Sequence, residues 1–203
     1  MHKLIPATLA MICCFRSLAQ TNQEEGRLTP RINIRCAKVF FDLNTGINNN
    51  GGLLGIGTDV HVADDISFCG GLGLVTSWGF KIYGGIKCYA KPCHKGWALG
   101  CGITYSTGAA DYRRKMETQS GAKEMVDLRL IPQANLYAAL YHHWAVGHKN
   151  NRIYMQLGWS QPANPRKFEQ LEGNPISSNA AALVRFVAPG GPVAGLGFSF
   201  GGK

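Results

Sequence analysis

Between Ile66 and Gly108 the chain repeats one pattern three times, and few folds accommodate it. Ile66, Phe68, Leu72 and Leu74 alternate with Ser67, Cys69, Gly71 and Gly73. Phe80, Ile82, Ile86 and Cys88 alternate with Lys81, Tyr83, Lys87 and Tyr89. Trp97, Leu99, Cys101, Ile103 and Tyr105 alternate with Ala98, Gly100, Gly102, Thr104 and Ser106. Apolar residues on one face and small or polar residues on the other, with a period of two, are the mark of β-strands. The segments between the runs are short, which predicts consecutive antiparallel strands. Fourteen of the 26 glycines lie between Gly51 and Gly108. A helical protein would not place them there, because glycine costs about 1 kcal/mol inside a helix.

The same period continues on both sides. A first strand is predicted over 36–45, with Ala37, Val39, Phe41 and Leu43 opposite Lys38, Phe40, Asp42 and Asn44. Asn48-Asn49-Asn50-Gly51-Gly52 is a turn signal, since Asn and Gly tolerate positive φ. Leu54, Ile56, Val60 and Val62 then oppose Gly55, Gly57, Asp59 and His61. A long strand is expected over 128–144, with Pro132 bending it near its start. Ile153, Met155, Leu157 and Trp159 alternate with Arg152, Tyr154, Gln156 and Ser160, and Ala194, Leu196, Phe198 and Phe200 with Val193, Gly195, Gly197 and Ser199. The charged segment 109–127 and the proline-bearing segment 161–179 read as two long exposed loops. Residues 180–188 are apolar without a strand period and read as a helical or irregular part of the last long connection. Counting 180–188 as a strand gives nine and leaving it out gives eight; because single-chain membrane barrels keep an even count, the expectation is eight strands in an all-β antiparallel up-and-down barrel.

The N-terminus has the form of a secretory signal. Lys3 is followed by a twelve-residue apolar run over 4–15, and Ser17-Leu18-Ala19 precedes Gln20 as a cleavage site. The expected division is a signal peptide over 1–19 and a single barrel domain over 20–203. No later stretch approaches the length of a transmembrane helix. Two architectures then compete: a transmembrane barrel, which satisfies every backbone group by closure, and a soluble barrel around an apolar ligand.

Four features favour the membrane. Connections alternate between short and long in the second half of the chain. The polar face carries Lys38, Asp42, Asp59, Lys81, Lys87, Arg129 and Arg152, opposite an apolar face almost free of charge. Trp97 and Trp144 fall at one set of strand ends, Trp78 and Trp159 at the other, as two aromatic girdles would. The export signal and the terminal Gly197-Phe198-Ser199-Phe200 strand fit export and barrel assembly. On these patterns the chain resembles the small eight-stranded outer-membrane barrels of Gram-negative bacteria, the class that includes the OmpA membrane domain and OmpX. Those barrels end on an aromatic residue, whereas here Gly201-Gly202-Lys203 follow Phe200.

The resemblance implies an outer-membrane location and a structural or surface-interaction role. Partners would be outer-membrane lipid or lipopolysaccharide, with surface proteins engaging 109–127 and 161–179. Eight strands enclose just enough room for side chains, so the interior charges are expected to form a packed polar network. After signal removal five cysteines remain: Cys36, Cys69, Cys88, Cys93 and Cys101. Cys88 and Cys93 flank a turn and can bridge; alternatively Cys88 and Cys101 are small outward-facing residues. His61, His94, His142, His143 and His148 map to one end, without the paired spacing of a metal site. Ser177-Ser178-Asn179-Ala180 is faintly similar to a Ser-Asn-Ala stretch of outer-membrane lipid A deacylases, but Pro175 and Ile176 stand where a His is expected. No nucleophile elbow, phosphate loop or dinucleotide motif occurs, so neither catalysis nor a cofactor is expected. The formal charge of +9 is spread over strands and loops rather than gathered in a stripe, which argues against nucleic acid. Arg113-Arg114-Lys115 reads as solvated or lying near lipopolysaccharide phosphates.

Overall fold

The computed structural model describes residues 37–75, 79–91, 95–147 and 150–202. Its strands are β1 (Val39–Ile47), β2 (Leu54–His61), β3 (Ile66–Leu74), β4 (Phe80–Tyr89), β5 (Gly96–Ser106), β6 (Ala109–Glu117), β7 (Lys123–Leu130), β8 (Gln133–Val146), β9 (Asn151–Pro162), β10 (Phe168–Glu172) and β11 (Gly191–Gly202). One helix, α1 (Ser178–Val187), precedes β11. Eight strands close into an antiparallel barrel in the order β1-β2-β3-β4-β5-β8-β9-β11. Closure is made between β1 and β11, where Phe41 stands opposite Phe200 and Leu43 opposite Phe198. Each of the eight contains part of one strand expected from the alternation.

The period-2 pattern sorts the side chains by face. Phe41, Leu43, Ile56, Phe68, Leu72, Ile82, Ile103, Leu136, Leu140, Leu157 and Leu196 point outward and are exposed. Asp42, Asp59, Lys81, Lys87, Thr104, Asn135, Tyr137, Tyr141, Arg152, Tyr154, Gln156 and Ser199 point inward and are buried. This inverts the arrangement of a water-soluble protein, in which buried polar residues are the exception.

The long connections fold where an irregular course was expected. Residues 109–127 are not an exposed loop: β6 and β7 form a hairpin, and β10 adds to β7 to make a three-stranded sheet. Val126, Leu128 and Leu130 face one way and are buried, together with Ala109, Ile176, Val184 and Ala188. The charges at Arg113, Arg114 and Lys115 masked this hairpin, because its apolar face is too narrow to stand out from the sequence. The strand expected over 128–144 is two strands. Pro132 cannot donate a ladder hydrogen bond; β7 ends before it and β8 starts after it, in a different sheet. Residues 180–187 are helical within α1, and Ser177 caps it by accepting a hydrogen bond from the Ala180 N–H at 3.2 Å.

The three-stranded sheet and α1 belong to the two long connections, β5–β8 and β9–β11, and so lie at one end of the barrel. The turns after β2, β4 and β8 form the other, short-turn end.

Glycines on the inner face make room for the tyrosines. A Cβ at Gly197 would overlap the Tyr154 ring, whereas one at the outward Gly84 meets nothing within 4 Å. Gly197→Ala is therefore expected to lower stability by about 1–3 kcal/mol through overpacking. Gly84→Ala should stay within about 0.5 kcal/mol. Urea unfolding of the two variants compares the same substitution on the two faces.

Candidate functional site

The interior is organised around Asp59 on β2, whose side chain is 0% exposed. Lys87 on β4 reaches both carboxylate oxygens at 2.9 Å. Arg152 on β9 reaches Oδ2 at 2.6 Å, and the Tyr89 hydroxyl donates to the same oxygen at 3.1 Å. Three strands from different parts of the sheet thus converge on one carboxylate. Alternation places Asp59, Lys87, Tyr89 and Arg152 on one face of the sheet; closure of the barrel turns that face inward and brings them together.

Aromatic rings surround the two cations. The Lys87 ammonium lies 4.7 Å from the Tyr141 ring centroid and 5.4 Å from that of Tyr154. The Arg152 guanidinium lies 3.9 Å from the Phe40 centroid and 5.6 Å from that of Tyr89. Such faces attract a desolvated cation electrostatically. Asp42 is buried close to this cluster but takes no part in its ion pairs.

Toward the long-connection end, the turn after β1 folds inward over the lumen. Asn49 and Asn50 are buried. Asn49 Nδ2 donates to Asn44 Oδ1 at 2.9 Å and Asn50 Nδ2 to the Tyr141 hydroxyl at 2.9 Å. Lys81 Nζ donates to the carbonyls of Asn48 and Asn49 at 3.2 and 2.8 Å. Asn48 and Gly52 hold positive φ, 49° and 77°, which lets the segment turn sharply. The Asn-Asn-Asn-Gly-Gly signal marks this turn in the sequence. Nothing local indicates that its amides point into a barrel.

Of the residues expected in the polar network, Asp42, Asp59, Lys81, Lys87 and Arg152 line the interior. Lys38 and Arg129 do not. Lys38 precedes the first ladder pair of β1 and is exposed, while Arg129 lies on the exposed face of β7. Arg129 shares the alternation of the barrel strands, but Pro132 places it in the other sheet.

Trp97, Trp144 and Trp159 all face outward. Trp97 and Trp144 lie toward the short-turn end and flank His142, with ring centroids at 4.5 and 4.4 Å. Trp159 lies toward the long-connection end, and Trp78 falls outside the described residues.

His143 packs inward against Tyr89 and Tyr154, and His61 sits edge-on to Phe40 and Tyr89. These histidines belong to aromatic clusters. Among the described residues, no group of three or more His, Cys, Asp or Glu side chains is arranged to hold a metal ion. Cys69 is buried with Sγ 3.6 Å from the Tyr137 hydroxyl. Cys88 and Cys101 sit at outward positions of adjacent strands; Cys93, His94, His148 and the signal-like residues 1–19 fall outside the described residues. Ser177, at the faint deacylase-like stretch, serves as the helix cap.

No protein-family model matches this chain, and no curated protein matches it. Among solved structures, it is similar to the N-terminal beta-barrel domain of Pseudomonas aeruginosa OprF, at 13% sequence identity and a TM-score of 0.44, over 80% of this chain and 95% of that one. The chain's own strand ladders close it into an eight-stranded antiparallel barrel.

Proposed function

We propose that this protein is an outer-membrane β-barrel with a structural or surface-interaction role and no catalytic one. One observation carries the reading: the barrel exposes a continuous apolar wall and buries its charges. A soluble exterior built from Phe41, Leu72, Ile82, Leu140, Leu157 and Phe200, all exposed, far exceeds the apolar patch that a monomer in water tolerates. In a bilayer the same wall is the favourable surface, because closure leaves no backbone edge. A soluble barrel around an apolar ligand would need the two faces exchanged. Here the interior is filled by an ion cluster, tyrosines and inward-folded asparagines.

Contacts with other molecules are assigned to the long-connection end, where the three-stranded sheet and α1 add surface beyond the barrel. Lipid and lipopolysaccharide are the partners that an apolar wall with tryptophans near both ends supports.

Fractionation of cells expressing the full chain tests the location. The protein should stay with the membrane through salt and alkaline washes and leave it only in detergent. It should also migrate differently on gels before and after boiling. Recovery in the aqueous fraction without detergent would remove the membrane reading.

A further inference from the structure

α1 has two apolar faces, and the fold covers one of them. Ala180, Ala181, Val184 and Ala188 pack on the three-stranded sheet. Leu183 and Phe186, at i and i+3, lie on a second face with Ala182, and Asn179 at its N-terminal end is the polar member of that face. Leu183 on that face is 65% exposed and Phe186 49%. A helix lying on a small water-facing sheet would carry polar residues there.

The uncovered face runs on into the barrel wall. Phe186 lines a depression of about 130 Å³ together with Ile47, Leu53 and Val75. Ile47, the last residue of β1, and Leu53 are each about half exposed. The junction is fastened by Asn48 Nδ2, which donates to the Phe186 carbonyl at 3.2 Å. The helix segment itself carries charge of one sign. Residues 177–190 contain no Asp or Glu, and Arg185 is exposed beside Phe186. Lys167 reaches across to the helix C-terminus and donates to the carbonyls of Arg185 and Gly190, a placement that favours a cation at the negative end of the helix dipole.

We propose that α1 is an interfacial helix. It rests Leu183 and Phe186 in the head-group layer at the long-connection end of the barrel and presents Arg185 to anionic head groups. The proposal rests on the membrane reading of the barrel and adds a second attachment beside it. A lipid surface is favoured over a protein partner because the apolar face continues the barrel wall and the charges on the helix and at its C-terminus, Arg185 and Lys167, are basic.

The test uses the full chain refolded into phosphatidylcholine–phosphatidylglycerol vesicles, with dansylalanine introduced singly at Leu183, Phe186, Leu157 or Ser120. This spares the native cysteines, and a boiling-dependent gel shift verifies that each variant is folded. Bromine near the head of the acyl chain should remove most of the emission at 183 and 186. Deep bromine should act mainly at 157, and position 120, at the tip of the β6–β7 hairpin, should be unaffected by either. Arg185→Glu should reduce quenching at 186 when phosphatidylglycerol is present and leave it unchanged in phosphatidylcholine alone. Quenching at 157 with none at 183 and 186 overturns the helix proposal and leaves the barrel in the membrane. Loss of quenching at 157 overturns the membrane reading itself. Protection of 183 and 186 from aqueous iodide without bromolipid quenching assigns the face to a protein and also overturns the proposal.

Discussion

Asp59→Asn is expected to destabilise the folded barrel by about 3–5 kcal/mol, the usual cost of removing one partner from a buried ion cluster. The substitution keeps the shape of the side chain and removes its charge. Lys87 and Arg152, with side chains 4% and 3% exposed, are then left beside a neutral amide that cannot balance them. The Tyr89 hydroxyl also loses its charged acceptor. Asp42→Asn makes the contrasting case. That carboxylate is buried close by but stands outside the ion pairs, so its neutralisation should cost about 1 kcal/mol or less. Urea unfolding in lipid vesicles, followed by gel mobility, measures both. Equal stability of Asp59→Asn and the parent would mean that the cluster does not hold the barrel. Adding Arg152→Met to Asp59→Asn should recover part of the loss, because it removes one of the stranded cations and supplies apolar volume.

Leu157→Arg addresses the outer face with comparable force. Leu157 is in the middle of β9, 50% exposed, and stands between Leu140 on β8 and Ala194 on β11. An arginine there should cost about 2–4 kcal/mol if this height of the wall is at the bilayer midplane. In water, the same change at a half-exposed site would stay within about 0.5 kcal/mol. Leu171→Arg is the matched control. Leu171 is 51% exposed but lies on β10, in the sheet outside the barrel, and its substitution should change little. A neutral result at Leu157 in vesicles would place the wall in water.

How much of this was legible in the residues varies with the kind of statement. The strand period is local, since neighbouring side chains on a strand must point to opposite faces. That Ile82 and Lys81 stand on opposite faces could therefore be read directly, as could Leu157 against Gln156; which face points outward is decided by closure of the barrel. Pro132 was also visible, but only as a bend. Whether the chain resumes in the same sheet after a proline depends on which edge is free to receive it, and no local signal carries that information. Arg129 and the hairpin of β6 and β7 were misplaced for this reason. Capping at Ser177 was likewise hidden, because the sequence there drew attention as a reactive stretch rather than as the start of a helix.

The sequence by itself determined an alternating antiparallel meander and the division of its side chains into two faces. Those features follow from strand geometry and turn chemistry, which act over a few residues. Only the tertiary structure decided that Asp59 collects Lys87 and Arg152, from strands separated by up to 93 positions. Only the tertiary structure showed that the Asn48–Asn50 turn folds inward, and that the long connections build a three-stranded sheet at one end of the barrel. The physical reason is range: the direction of a side chain is set by its own backbone, whereas its partner is set by which distant strands the closed ladder brings opposite it.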